Sequence, residues 1–283
     1  MKASAVGFAV LVAATQGFAA TGARAEGWDM PTAYPATNYH TETAVAFAAC
    51  VKGATAGKLD VTVHPNGALF KGNDIKRAVQ TGQAPIGERL ISAHANENPL
   101  FGIDSIPFLA SSFDASEKLW SAARPELEKL LASQNLVYVY AVPWPPQGLY
   151  SKKPVHTVAD LKGVKFRSYS VATARISELA GMIPVQIEAA DLSQALATGV
   201  ADAFISSGST GYDVKAWEYM TNFYTVDAWL PRNVIFANKD AFTALPADQQ
   251  AAVKKCGGVA AASGLAQAKA LTQKYIDGLA GNK

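Results

Sequence analysis

Apolar and polar positions along the chain repeat with two different periods. Short runs such as LDVTV (residues 59–63), VYVYAV (137–142), VKFR (164–167) and VIFAN (234–238) are bounded by Gly, Pro or Asn. They alternate or cluster as half-buried or buried strands do. Longer stretches at 42–54, 116–133, 171–180, 212–219 and 246–279 carry apolar residues at helical spacing. The last contains Gly257 and Gly258, so a break or kink is expected there.

The two halves echo each other. Residues 59–86 and 184–205 both read strand, loop, amphipathic helix, Thr-Gly, strand, with Thr81-Gly82 matching Thr198-Gly199. Glycine after a last helical turn takes the left-handed cap and drops the chain into the next strand. One β-α-β unit per half is implied, and the alternation favours an α/β fold over all-α or all-β. Between the halves runs VYVYAVPWPPQGLYSKKP (137–154), where three prolines surround Trp144. Prolines donate no ladder bonds, so this is an edge or crossover segment, either a hinge or a rigid surface loop.

The first 25 residues read as a leader. Lys2 precedes an apolar run over 5–14, and Ala23-Arg24-Ala25 is a small-x-small cleavage pattern, so the exported chain is expected to begin at Glu26 in the periplasm. Removing Lys2 and Arg24 from 25 basic residues leaves 23 against 23 acidic ones. A neutral chain without a basic block offers no footprint for nucleic acid or anionic membrane. Cys50 and Cys256 are permitted a disulfide in an oxidising compartment, but their spacing leaves two buried thiols equally open. With neither in a C-x-x-C pair and four scattered histidines, no metal site is indicated. The common nucleophile, zinc, phosphate and dinucleotide motifs are missing, so no enzyme is expected and no cofactor assigned.

One residue has chemistry suited to a single task. In DLKGVKFRSYS (160–170), Arg167 ends a strand pattern that starts after a Lys-Gly turn. In open α/β sheets ligands bind beyond the carboxyl ends of strands. A guanidinium there gives a carboxylate two parallel charge-assisted hydrogen bonds, where lysine supplies only charge. The competing reading is a structural ion pair with Asp160 or another acid.

The ordered pieces KLDVTVHPNG (58–67), Thr81-Gly82, DSIPFL (104–109), Lys152-Lys153-Pro154, Asp160 to Arg167, Ile183-Pro184-Val185 and ALATGVAD (195–202), with Tyr212 and Glu218 downstream, cover nearly the whole exported chain. With them the chain resembles a solute-binding protein of the tripartite ATP-independent periplasmic (TRAP) transporter family, of the dicarboxylate-receptor type. The resemblance implies a two-lobed α/β periplasmic binding protein fold, each lobe a mixed sheet flanked by helices, with the ligand cleft between. It also implies a small organic acid as ligand, a membrane permease as partner, and Arg167 as the carboxylate anchor. Relatives often carry a second arginine where this chain has Pro145, Pro146 and Gln147, and an asparagine where Ser206 stands. A single cation suits a monocarboxylic hydroxy or oxo acid.

The rest of the wall is expected from Trp144, Tyr212 and Trp229, with Gln147, Ser206 and Asn233 as hydrogen-bonding groups and Glu88 as an acceptor from the opposite lobe. For Glu88-Arg89 an ion pair within itself is the plainer alternative. The first lobe is expected over 26–150 plus 229–247, and the second over 151–228 plus 248–283 with the terminal helices. A receptor for an ATP-driven transporter, or an exported hydrolase or lyase, are the rivals.

Overall fold

The computed structural model describes residues 1 and 25–282, so the leader expected over 1–25 lies almost wholly outside the described residues. In chain order the first part holds β1 (Glu26–Pro31), α1 (Tyr39–Ala54), β2 (Leu59–His64), α2 (Gly72–Gln80), β3 (Ile86–Leu90), α3 (Phe113–Ser133) and β4 (Leu136–Pro143). Then come β5 (Gln147–Ser151), β6 (Lys165–Ser168), α4 (Val171–Leu179), β7 (Ile183–Gln186), α5 (Leu192–Ala197), β8 (Ala203–Ser207), α6 (Gly208–Asp213) and β9 (Asn222–Tyr224). The chain ends with β10 (Arg232–Asn238), α7 (Lys239–Ala244) and α8 (Ala247–Gly281).

The strands build two lobes. The first holds a parallel pair β1-β2 beside an antiparallel sheet β3-β10-β4; the second holds a five-stranded mixed sheet in the order β7-β6-β8-β5-β9. Local signals explain much of this. Gly82 and Gly199 have φ of +76° and +69°, the left-handed turn that ends α2 and α5. The echo is less regular than the sequence suggests: β7 and β8 share one sheet with β6 between them, whereas β2 and β3 fall in different ladders.

Two segments carry the chain between the sheets, one after β4 and one before β10. They run side by side: Trp144 N donates to Pro231 O at 2.8 Å, Gln147 N to Trp229 O at 3.0 Å, and Ala228 N to Gln147 O at 3.1 Å. The proline-rich stretch is thus a crossover, with β4 on a sheet edge as its prolines require. Gln147 already pairs with Ser207 of the second sheet, so residues 147–150 lie with the second lobe rather than the first.

The terminal helix differs most from expectation. It is one uninterrupted helix through Gly257 and Gly258, and at ~1.5 Å per residue it is ~50 Å long. It packs on α1 and β4 of the first lobe, and Tyr275 and Gly278 near its end meet α6. Gly257 is a contact rather than a break: a Cβ there would lie 2.9 Å from Val139 O. Next to it, Cys256 is disulfide-bonded to Cys50 of α1, with Cα atoms 5.8 Å apart. No described helix is long and apolar enough to cross a membrane.

Candidate functional site

A cavity lies between the lobes and against the crossovers. Tyr34 and Arg89 line it from the first lobe, Trp144 and Gln147 from the crossover, and Arg167, Tyr169, Glu188, Ser206 and Thr210 from the second. It is small, about 40 Å³ as measured by the space open to the centre of a water-sized sphere.

Arg167 is the third residue of β6, paired in register with Val185 and Phe204 of the two flanking parallel strands. β6 thus lies between β7 and β8 in the second sheet. Arg167 is buried, its Nε donates to Ile187 O at 2.9 Å, and its guanidinium lies 4.9 Å from the centre of the Tyr169 ring. Among the described residues no carboxylate lies within 4.0 Å of it and no protein atom accepts from its two terminal nitrogens. Asp160, the acid considered in sequence, instead caps its own turn by accepting from His156 N and Thr157 N. Burial pulls the Arg167 pKa below the ordinary guanidinium value, opposed by Tyr169 and then Glu188, yet a guanidinium stays protonated. A buried cation without a contacting counter-charge is costly, and Arg167 lines the cavity.

Of the other residues expected in the wall, Trp144, Gln147 and Ser206 line the cavity. Asn233, Glu88 and Trp229 do not; they form the layer behind it. Trp144 Nε1 donates to Asn233 Oδ1 at 2.8 Å, and Asn233 Nδ2 donates to Glu88 Oε1 at 3.0 Å. Glu88 also has His40 Nδ1 at 3.4 Å, and His40 packs on Trp144 with ring centres 4.0 Å apart; burial lowers the His40 pKa, with Glu88 opposing. Trp229 Nε1 donates to Tyr169 Oη at 3.2 Å, and Tyr169 Oη donates to Gln147 Oε1 at 3.1 Å, so one chain of bonds orients two wall residues. Successive strand residues face opposite sides, which is why Arg89 reaches the cavity and Glu88 turns away. The reading of Glu88-Arg89 as an ion pair within itself does not fit, since Arg89 bonds Glu188 at 2.9 Å.

Tyr212 lies elsewhere. It is 41% exposed and packs on Trp217 and Tyr275, while Thr210, two residues earlier on α6, faces the cavity. At 100° per residue, positions two apart on a helix point to nearly opposite sides. Tyr34, Thr210, Glu188 and Tyr169 were not expected; only Tyr169, two residues past Arg167 in the same stretch, had a signal in strand alternation.

The α1 N-terminus meets the second lobe. The Asn38 side chain caps α1 by accepting from His40 N, and its Nδ2 donates to Asp213 Oδ2 of α6 at 2.6 Å. Burial pushes the Asp213 carboxyl up to about 7, the Asn38 bond opposing and the Glu42 charge adding to the shift.

Comparison with known proteins agrees with this architecture. A family model described as bacterial extracellular solute-binding protein, family 7, matches residues 31–283. The solved structure of a marine metagenome TRAP solute-binding protein specific for pyroglutamate, from an unidentified microbe, is 55% identical with a TM-score of 0.90, covering 91% of this chain and 85% of that one. An extracytoplasmic solute receptor of Bordetella pertussis that binds pyroglutamic acid is 47% identical with a TM-score of 0.89, covering 91% and 85%. A curated solute-binding protein of Albidiferax ferrireducens is 26% identical over 72% of this chain, which spans only 62% of that relative's length.

Proposed function

The chain belongs to family 7 of the bacterial extracellular solute-binding proteins, and from that premise we propose that it is the receptor of a TRAP transporter, binding a small monocarboxylate and delivering it to a membrane permease. Pyroglutamate, a compact cyclic amide with one carboxylate, is the ligand we put first. The observation that carries the reading is Arg167, buried at the cavity with terminal nitrogens that no described acid engages. Its fork takes the carboxylate; the ring lies against Trp144 and Tyr34; and Gln147, Ser206 and Thr210 meet the amide. The similarity to two pyroglutamate receptors supports this choice, and the small cavity favours a compact acid. Closing the lobes removes water and strengthens the ion pair, so ligand binding shifts the balance toward the closed form.

The receptor works outside the cytoplasm, with residues 1–25 removed after Ala25 and the Cys50–Cys256 bridge consistent with an oxidising compartment. The first lobe ends near Pro143 and resumes at β10, and α8 spans both.

The test is a calorimetric titration of small organic acids into the exported chain, wild type and Arg167→Lys. Pyroglutamate is expected to bind the wild type, and the lysine variant to lose most of that affinity. Equal affinity in both, or no acid bound by the wild type, would refute the assignment.

A further inference from the structure

The cavity contains two guanidiniums where one was expected, and they are in different states. Arg167 lacks an acid among the described residues. Arg89 has one: its Nη1 donates to Glu188 Oε2 at 2.9 Å and its Nη2 to Glu188 Oε1 at 3.3 Å, and Nη2 also bonds Asn73 Oδ1. Arg89 belongs to β3 in the first lobe and Glu188 follows β7 in the second, so the pair bridges the cleft. It is 3% and 16% exposed at its two ends. Asn73 lines two outer grooves, one shared with His94 and the other with Asp191 and Glu188, while Arg89 and Glu188 also line the cavity itself. The pair therefore stands between the cavity and solvent.

Room for it is made at one position. Gly72 opens α2, where its φ requires no glycine, and a Cβ there would fall 2.2 Å from Glu188 Oε2 and 2.6 Å from Arg89 Nη1. Glycine is a poor helix residue, so its presence has a steric rather than a conformational reason.

The charge count then decides what fits. With Arg167, Arg89 and Glu188 all ionised, the lining carries a net single positive charge. One carboxylate neutralises it. A dianion leaves an unpaired buried negative charge, or must take Arg89 away from Glu188, and unpaired buried charge is strongly disfavoured.

We propose that Glu188 is the specificity determinant that restricts the cleft to singly charged anions, by engaging Arg89 across the closed lobes and so removing the second cation from the ligand's reach. This rests on the reading of the cleft as a monocarboxylate site. Discrimination here is by repulsion as much as by attraction. Glu188→Gln leaves the cavity with two uncompensated cations, and Gly72→Ala forces the pair apart without changing any charge or lining residue.

The test is calorimetric titration of pyroglutamate and of glutarate, a diacid of the same carbon count, into wild type, Glu188→Gln and Gly72→Ala. The wild type is expected to take pyroglutamate and reject glutarate. Glu188→Gln should shift the affinity ratio toward glutarate at least tenfold, and Gly72→Ala, which preserves the charges if the first variant folds poorly, at least threefold the same way. An unchanged ratio in both variants overturns the inference. So does a wild type that binds glutarate as well as pyroglutamate, which leaves the receptor reading intact; a wild type that binds no carboxylate overturns both.

Discussion

Trp144 Nε1 donates to Asn233 Oδ1 at 2.8 Å, which joins the crossover leaving β4 to the strand that follows the second crossover. Asn233 in turn donates to Glu88 at 3.0 Å, and all three side chains are buried. A cavity wall residue is thus held from behind by a polar network in the first lobe. Replacing Asn233 with Leu leaves both an indole N–H and a carboxylate oxygen without this partner, at ~1–3 kcal/mol for each orphaned group. We expect a large fall in the chemical-denaturation midpoint for Asn233→Leu, a smaller one for Trp144→Phe, and weaker ligand binding in both.

Arg167→Met should separate stability from binding. The arginine is buried with no acid, so removing its charge is expected to leave the ligand-free protein at least as stable in a thermal melt. Binding should fall by ~2–5 kcal/mol, roughly 30- to 4,000-fold in Kd. A melting temperature several degrees below wild type without ligand would mean that the guanidinium is structural.

The adjacent glycines of α8 should respond oppositely. Gly257→Ala pushes a methyl against the Val139 carbonyl at 2.9 Å and Val139 Cγ1 at 3.1 Å, and is expected to cost ~1–3 kcal/mol. Gly258 has open space beyond its Cα, and Gly258→Ala should stabilise by ~0.5–1 kcal/mol through helix propensity. Urea unfolding of the two variants checks the sign.

The Cys50–Cys256 bridge joins positions 206 apart in sequence and fastens α8 to α1. A Cys50→Ala, Cys256→Ala double variant is expected to lose ~2–5 kcal/mol of unfolding free energy while keeping ligand specificity, because neither residue lines the cavity. Reduction of the wild type should lower the melting temperature by a similar amount.

Asp213 sets a pH dependence with a defined sign. Its folded pKa, about 7, is above the ordinary carboxylate value of 3.8, so the folded state holds the extra proton between them. The stability this contributes is full below pH ~4 and is lost as pH rises through about 7. Asp213→Asn keeps an acceptor for Asn38 and removes the titration. Its melting temperature relative to wild type should therefore be higher at pH 8 than at pH 5; an equal difference at both would exclude the assignment.

Much of the scaffold is legible locally. Strand and helix periods, the Thr-Gly caps at 81–82 and 198–199, and the Lys-Gly turn before β6 depend on residues near one another in sequence, where backbone sterics and side-chain period act directly. They suffice to put Arg167 at the end of a strand and Trp144 in an edge or crossover segment. What they cannot convey is which distant group answers each side chain. Arg89 and Glu188 are 99 residues apart, and Glu88 and Asn233 are 145 apart. Whether Arg89 is a free anchor or a neutralised one depends on how the second lobe closes on the first. Gly257-Gly258 reads as a helix break because glycine weakens helices locally, yet packing of α8 against β4 and its tie to α1 keep the helix whole. Sequence by itself determined most of the strand and helix pattern and singled out Arg167 as a candidate anchor; only the tertiary structure decided the cavity's net charge, because charge compensation follows distance in space.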